Sequence, residues 1–154
     1  MQGGGKEPDY LPGVDQSLAL IVAREDFPAS ALHEAAHWCV ASRRQRALPD
    51  YGYSYVPPPR SSAEQAAFFA AELRVQSVEW YLARRAGIAF RASADDPELP
   101  LQELECFQDR LRLQVDCWER DTNDTSPAAV APPPRAVIFG RALRQLAGPG
   151  LAFQ

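Results

Sequence analysis

His33-Glu34-Ala35-Ala36-His37 holds both histidines of a 154-residue chain. On an α-helix a step of four residues turns about 400°, so the two imidazoles lie roughly 40° apart on one face. That spacing lets two neutral nitrogens chelate a divalent metal. Upstream, Asp26-Phe27-Pro28-Ala29-Ser30 reads as a helix entry, with Pro28 or Ser30 near the first turn. The histidine helix is predicted from Ala29 to Arg46. Its last turn, Arg43-Arg44-Gln45-Arg46, is basic, as the negative end of a helix dipole favours, and Pro49 stops it.

Working outward, residues 1–16 read as irregular, with 1–6 a flexible lead-in, and Leu18-Ala19-Leu20-Ile21-Val22-Ala23 suits one buried strand. Asp50-Tyr51-Gly52-Tyr53-Ser54-Tyr55 alternates aromatic with small or polar residues, which predicts an extended segment with three tyrosines on one face. After Pro57-Pro58-Pro59, Ser61 or Ser62 caps a helix over about Ser62–Ala86. Glu64 or Gln65 stands in the capping-box position, and Gly87 follows as the C′ residue. Further helices are predicted at Glu98–Glu119, with Leu101, Leu104, Phe107, Leu111, Val115 and Trp118 on its apolar face, and at Arg135–Ala147. Residues 121–134 read as a loop and 148–154 as an irregular tail. The fold class is therefore mainly α (α+β): one helical domain over 1–154 with a few short strands, the metal held between the first two long helices.

The length suits one domain with a real core, and 46% apolar residues suit a folded one. A net charge of −4 argues against gripping nucleic acid by bulk electrostatics. No run approaches 18 apolar residues, so no membrane span is expected, and the N-terminus lacks the pattern of a secretory signal. Cys39, Cys106 and Cys117 make an odd number without CxxC spacing, which favours a reduced, cytoplasmic setting.

Two histidines need at least one more ligand, and a third histidine does not exist. Cys39 lies about 200° around the helix from His37 and reads as a small buried hydrophobe. Glu72, inside Ala66-Ala67-Phe68-Phe69-Ala70-Ala71-Glu72-Leu73, is the leading carboxylate, because a cation would offset the burial of its charge. Glu79, Glu64 and the Asp95-Asp96 turn remain alternatives, and Gln76, one turn past Glu72, can support it. Two chemistries stay open. Zinc with Glu34 as general base makes a peptidase, and ferrous iron in a two-histidine-one-carboxylate triad makes an oxygenase.

Ala29-Ser30-Ala31-Leu32-His33-Glu34, His37-Trp38-Cys39 and Asp50-Tyr51-Gly52-Tyr53-Ser54-Tyr55 together resemble the bacterial elongation factor P hydroxylase family. Glu7-Pro8-Asp9-Tyr10-Leu11-Pro12, the Glu72–Trp80 stretch and Ala86-Gly87-Ile88-Ala89-Phe90 fit the same pattern, so the likeness runs over roughly residues 7 to 147. The resemblance implies a metallopeptidase-like scaffold in oxidative use, with Fe(II) on His33, His37 and Glu72 and molecular oxygen as co-substrate. It implies hydroxylation of the β-lysylated lysine of translation elongation factor P, the partner protein. No 2-oxoglutarate site is evident. The family's members begin with a further N-terminal helical segment, and the Val56-Pro57-Pro58-Pro59-Arg60 loop is richer in proline than theirs.

Within that implied reaction, Glu34 is the candidate catalytic carboxylate, moving a proton or orienting a metal-bound water. Tyr53 and Tyr55 are candidates to line the entry of a lysine arm, Asp50 to hold its ammonium groups, and Arg60 to dock the partner. Trp38 and Trp80 read as packing residues. The alternatives are the zinc peptidase and a metal-stabilised binding module without turnover.

Overall fold

The computed structural model describes residues 1–15, 17–120 and 131–147. Among them, three strands, β1 (Gln2–Gly5), β2 (Asp9–Leu11) and β3 (Leu20–Arg24), precede four helices. The helices are α1 (Pro28–Val40), α2 (Ser62–Ala86), α3 (Leu101–Arg120) and α4 (Pro134–Ala147), with 3₁₀ turns at Gln45–Ala47 and Pro49–Gly52. The mainly helical class with a few short strands holds.

The sheet corrects the reading of the N-terminus. β3 forms where the apolar run predicts it, and it recruits β1 as a parallel neighbour and β2 as an antiparallel one. Residues 1–6 are thus no loose lead-in: Gly4 N–H donates to Glu25 O at 2.6 Å, and Glu25 N–H donates to Gly5 O at 2.8 Å. A Gln-Gly-Gly-Gly strand carries no propensity signal. Its glycine at position 5 suits the close approach to β3, since a Cβ there would meet Val22 Cγ1 at 2.5 Å.

α1 is shorter than predicted. Ala41 leaves helical geometry at φ −56°, ψ 135°, and its N–H closes onto His37 O at 2.9 Å. The carbonyls left at this end are taken by guanidinium groups from elsewhere: Arg135 on α4 reaches Cys39 O at 2.9 Å and also Ala41 O, which Arg46 shares. Arg46 serves the negative helix end as expected, but from beyond the helix.

The Asp50–Tyr55 segment also departs from the prediction. Asp50, Tyr51 and Gly52 sit successively in the left-handed region, at φ 46°, 57° and 72°. This breaks the two-residue alternation and turns Tyr51 into the core while Tyr53 and Tyr55 stay exposed. Gly52 is additionally confined, because a Cβ would lie 2.8 Å from Leu48 Cδ1.

α2 is the central element and forms over the predicted residues. Ser61 Oγ accepts the Glu64 N–H while Glu64 Oε2 accepts the Ser61 N–H at 2.8 Å, the expected capping box, and Gly87 closes the other end at φ 72°. α1, α3 and α4 all pack on it. Ala35, Ala36 and Cys39 of α1 meet Val75, Val78 and Leu82 of α2, and these small α1 residues let the two helices approach closely. Val115 and Trp118 of α3 and Ala136 of α4 complete that cluster, and Phe69, Phe107 and Leu111 form a second. Trp38 and Trp80 pack against the core, Trp80 stacking on Phe90 at 4.9 Å. The 121–130 part of the predicted loop and the 148–154 tail lie outside the described residues. No helix among the described residues is long and apolar enough to cross a membrane.

Candidate metal centre

The close α1–α2 contact brings polar residues of both helices face to face. On α2 an otherwise buried face carries Glu72, Gln76 and Glu79 at steps of four and three, one stripe on a 3.6-residue helix. On α1, His33 and His37 stand one turn apart opposite that stripe. Their Nε2 atoms lie 3.1 Å from each other. Glu72 Oε1 is 3.6 Å from His37 Nε2, and Glu72 Oε2 is 4.0 Å from His33 Nε2. One ligand atom from each of the three residues falls within a 4.8 Å span, the one such group of metal-binding side chains among the described residues.

The fit to a metal rests on that donor set. Two ring nitrogens cannot point at one another with both lone pairs free unless a proton or a cation lies between them. Two imidazoles and a carboxylate are the ligands that suit zinc or ferrous iron. The α2 stripe also holds these side chains in place. Glu79 Oε2 lies 2.8 Å from His33 Nδ1, so the ring donates there and turns Nε2 toward Glu72. Gln76 Nε2 donates to Glu72 Oε2 at 3.1 Å and to Ser93 O at 2.8 Å, while Gln76 Oε1 accepts the Ser93 N–H at 3.1 Å. His37 is oriented differently. Its Nδ1 is buried without a hydrogen-bond partner, and its ring lies nearly parallel to Tyr51 at 5.9 Å, which in turn stacks on Tyr10 at 4.1 Å.

Charge follows from this packing. Burial works against protonation of His33, but the bond to Glu79, then the charges of Glu79, Glu72 and Glu34, outweigh it and raise its pKa to about 9. Burial, with the His33 charge, lowers His37 to about 3. Without metal, the extra proton of the pair therefore sits on His33, and His37 stays a neutral imidazole. Burial also raises Glu72, against the pull of His33. Glu34 is raised to about 7, first by burial, with His33 opposing and Glu72, Asp50 and Glu79 adding.

The remaining sequence-predicted residues divide. Tyr53 meets the edge of His37 at 5.7 Å and stays exposed, at the mouth of the centre. Asp50, also exposed, accepts the Tyr10 N–H on Oδ1 at 3.1 Å, and its carboxyl group hydrogen-bonds that of Asp9. Tyr55 lies further along the rim, its hydroxyl donating to Asp95. Arg60, the docking candidate, has its side chain turned inward. Its side chain is 1% exposed, paired with Asp95 at 3.2 Å, donating to Val56 O at 2.7 Å and stacked over Phe68 at 4.1 Å. It braces the 93–96 loop from inside. Glu79, weighed in the sequence as an alternative ligand, is the partner of His33. Its signal was the seven-residue interval from Glu72.

A family profile described as elongation factor P hydroxylase (EpmC) matches residues 1–145. An elongation factor P lysine hydroxylase of Haemophilus influenzae is 47% identical over 114 residues, which cover 73% of this chain and 64% of that protein. The matched region is thus somewhat under two thirds of the relative's length.

Proposed function

This chain belongs to the elongation factor P hydroxylase family, and we propose that it is a non-haem Fe(II) hydroxylase of the monooxygenase type. Its substrate is the β-lysylated lysine of elongation factor P in the cytoplasm. The observation that carries the proposal is the convergence of His33, His37 and Glu72 from two helices onto one point. Two nitrogens and one carboxylate leave room in the coordination of a ferrous ion for other ligands. A ferrous ion held by His33, His37 and Glu72 would supply activation of molecular oxygen, and the overall hydroxylation would place one oxygen atom in a C–H bond of the lysine arm and release the other as water, with two electrons and two protons from an external reductant.

The chain's own residues serve that reaction in distinct ways. Glu79 and Gln76 hold His33 and Glu72 in place. Glu34, whose carboxyl is raised to about 7, is the catalytic group that takes up or releases a proton beside the centre near neutral pH. Tyr53 and Asp50 flank the entry and meet the incoming arm, and Tyr55 lines the outer rim.

The test is intact-mass analysis of β-lysylated elongation factor P incubated aerobically with the Fe(II)-loaded chain and a reductant. We expect a gain of one oxygen atom, absent without oxygen and in His33→Ala. No gain with iron bound refutes the substrate assignment. Tight zinc in place of iron, with peptide hydrolysis that Glu34→Gln abolishes, refutes the hydroxylase reading.

A further inference from the structure

Ala41, where α1 breaks, is the meeting point of two arginines from distant parts of the chain. Arg46 Nη1 donates to Ala41 O, and Arg135 Nη2 donates to the same oxygen and to Cys39 O, the latter at 2.9 Å. Two hydrogen bonds to one oxygen hold the donor nitrogens within about 6 Å of each other. The guanidinium carbons lie 5.4 and 5.2 Å from the centre of the Trp38 ring, so one indole carries both cations. The Tyr10 hydroxyl donates to Arg46 O at 2.8 Å and pins the turn that supplies Arg46. Arg43 and Arg44, both exposed, come just before it in the chain.

The charge gathered here is not balanced among the described residues. No carboxylate among them pairs with Arg43, Arg44, Arg46 or Arg135, although the whole chain carries a net charge of −4. α2 shows the contrast. Arg84 and Arg85 likewise stack on aromatic rings, over Trp80 at 5.0 Å and Tyr81 at 3.7 Å, and there Asp116 and Glu119 of α3 meet them at distances from 2.5 to 3.4 Å. At Trp38 the only negative partner is the end of α1, which offers about half a charge against two full positive ones. Arg135 Nε is also buried without a hydrogen-bond partner, and native interiors rarely leave such a donor unmatched.

We propose that Arg46 and Arg135, held together against Trp38, form an anion site for a phosphate dianion, either inorganic phosphate or a small phosphomonoester. Each arginine gives one terminal nitrogen to backbone carbonyls, which leaves Nη2 of Arg46 and Nη1 of Arg135 without a protein acceptor among the described residues. Guanidinium groups match the oxygens of phosphate two at a time. A dianion also meets two cations charge for charge, which a single carboxylate does not. The shared carbonyl and the indole fix both side chains before a ligand arrives, so little of their freedom is lost on binding. The bound anion links α4 to the turn after α1. The site uses none of the metal-binding side chains and stands independently of the hydroxylase reading.

The zinc-loaded chain is titrated with inorganic phosphate, glycerol 3-phosphate and acetate at constant ionic strength. Binding is read from the NMR signals of the Arg46 and Arg135 Nε–H groups and of the Ser42–Arg46 amides. One or both phosphates should saturate these signals, which also tells the free ion from the ester, and acetate should bind about tenfold more weakly. That comparison is made on the parent and decides without any variant. Arg46→Gln keeps an N–H donor for Ala41 O and removes one charge. It should weaken phosphate binding about tenfold with zinc content equal to the parent's. Arg135→Lys keeps the charge, loses the fork, and should weaken binding severalfold. The double substitution Arg43→Gln, Arg44→Gln, outside the site, should leave binding within about twofold of the parent. Equal binding of acetate and phosphate, or an equal loss in Arg46→Gln and the double variant, reveals diffuse surface charge and overturns the site. Shifts confined to His33 and His37 put the anion on the zinc and overturn it too. Tighter binding of a single-stranded RNA oligonucleotide than of either phosphate, lost in the double variant, gives the surface to nucleic acid instead.

Discussion

Glu79→Gln isolates what the carboxylate behind His33 contributes. The bond it alters is 2.8 Å long and part-buried, from His33 Nδ1 to Glu79 Oε2. Glutamine keeps an acceptor at the same place and removes only the charge. A charge-assisted bond contributes about 1.5–3 kcal/mol against about 1 for a neutral one, so the loss is about 0.5–2 kcal/mol. That corresponds to roughly 2- to 30-fold in metal affinity. Glu79→Leu removes the acceptor altogether and should cost about 10- to 100-fold. Protons compete for the same nitrogen pair. With His33 at about 9, only about one ring in a hundred is neutral at pH 7 in the metal-free parent. Glutamine lowers that pKa and so relieves part of the competition. The deficit of Glu79→Gln should therefore be small near pH 7 and open to its full size as the pH approaches 9. Competition between the protein and a chromophoric chelator for zinc, at about pH 7 and about pH 8.5, reads both values. If both variants hold zinc within about twofold of the parent at the higher pH, Glu79 does not support the metal ligand and the reasoning fails.

Other outcomes follow from the same geometry. The metal-free chain should lose stability as pH rises from about 6.5 through about 9, because folded His33 keeps a proton that the unfolded chain releases. Denaturant titrations across that window should show the slope, and saturating metal should remove it. Gln76→Leu removes both hydrogen bonds to the backbone of the exposed Ser93, each contributing about 0.5–1.5 kcal/mol. Its melting temperature should fall, and its metal affinity should fall with it through Glu72. Leu82→Ala, at a fully buried core position, should cost about 2–5 kcal/mol in chemical denaturation while leaving metal stoichiometry intact.

What the sequence revealed was carried by local rules. The ends of α2 were legible because a serine cap, its glutamate partner and a terminal glycine act within one turn of the chain. The chelating pair was legible because a four-residue step closes on a helix. The misses share the opposite property. β1 exists only because β3 pairs with it, which no glycine-rich tetrapeptide announces. The end of α1 was misplaced because the basic run at 43–46 favours a helix end without locating it, and Ala41 breaks the helix one turn earlier. Asp50–Tyr55 alternates in sequence, but three successive left-handed residues cancel the two-residue period, and propensity does not foresee that for aspartate and tyrosine. The inward setting of Arg60 was not legible because its partner Asp95 lies 35 residues away, beyond any local pattern.

The candidate ligands come from helices separated by two 3₁₀ turns and a proline-rich connection, His37 in the last turn of α1 and Glu72 near the middle of α2. A metal ion bound to them is therefore a cross-link between α1 and α2, in a chain whose three cysteines are all free. At free metal about a hundredfold above its dissociation constant, such a link adds about 2.7 kcal/mol to the native state, comparable to a disulfide. Unlike a disulfide, it is set by supply. Metal scarcity would then shorten the lifetime of the folded chain as well as empty its centre, tying the amount of protein to the abundance of the ion.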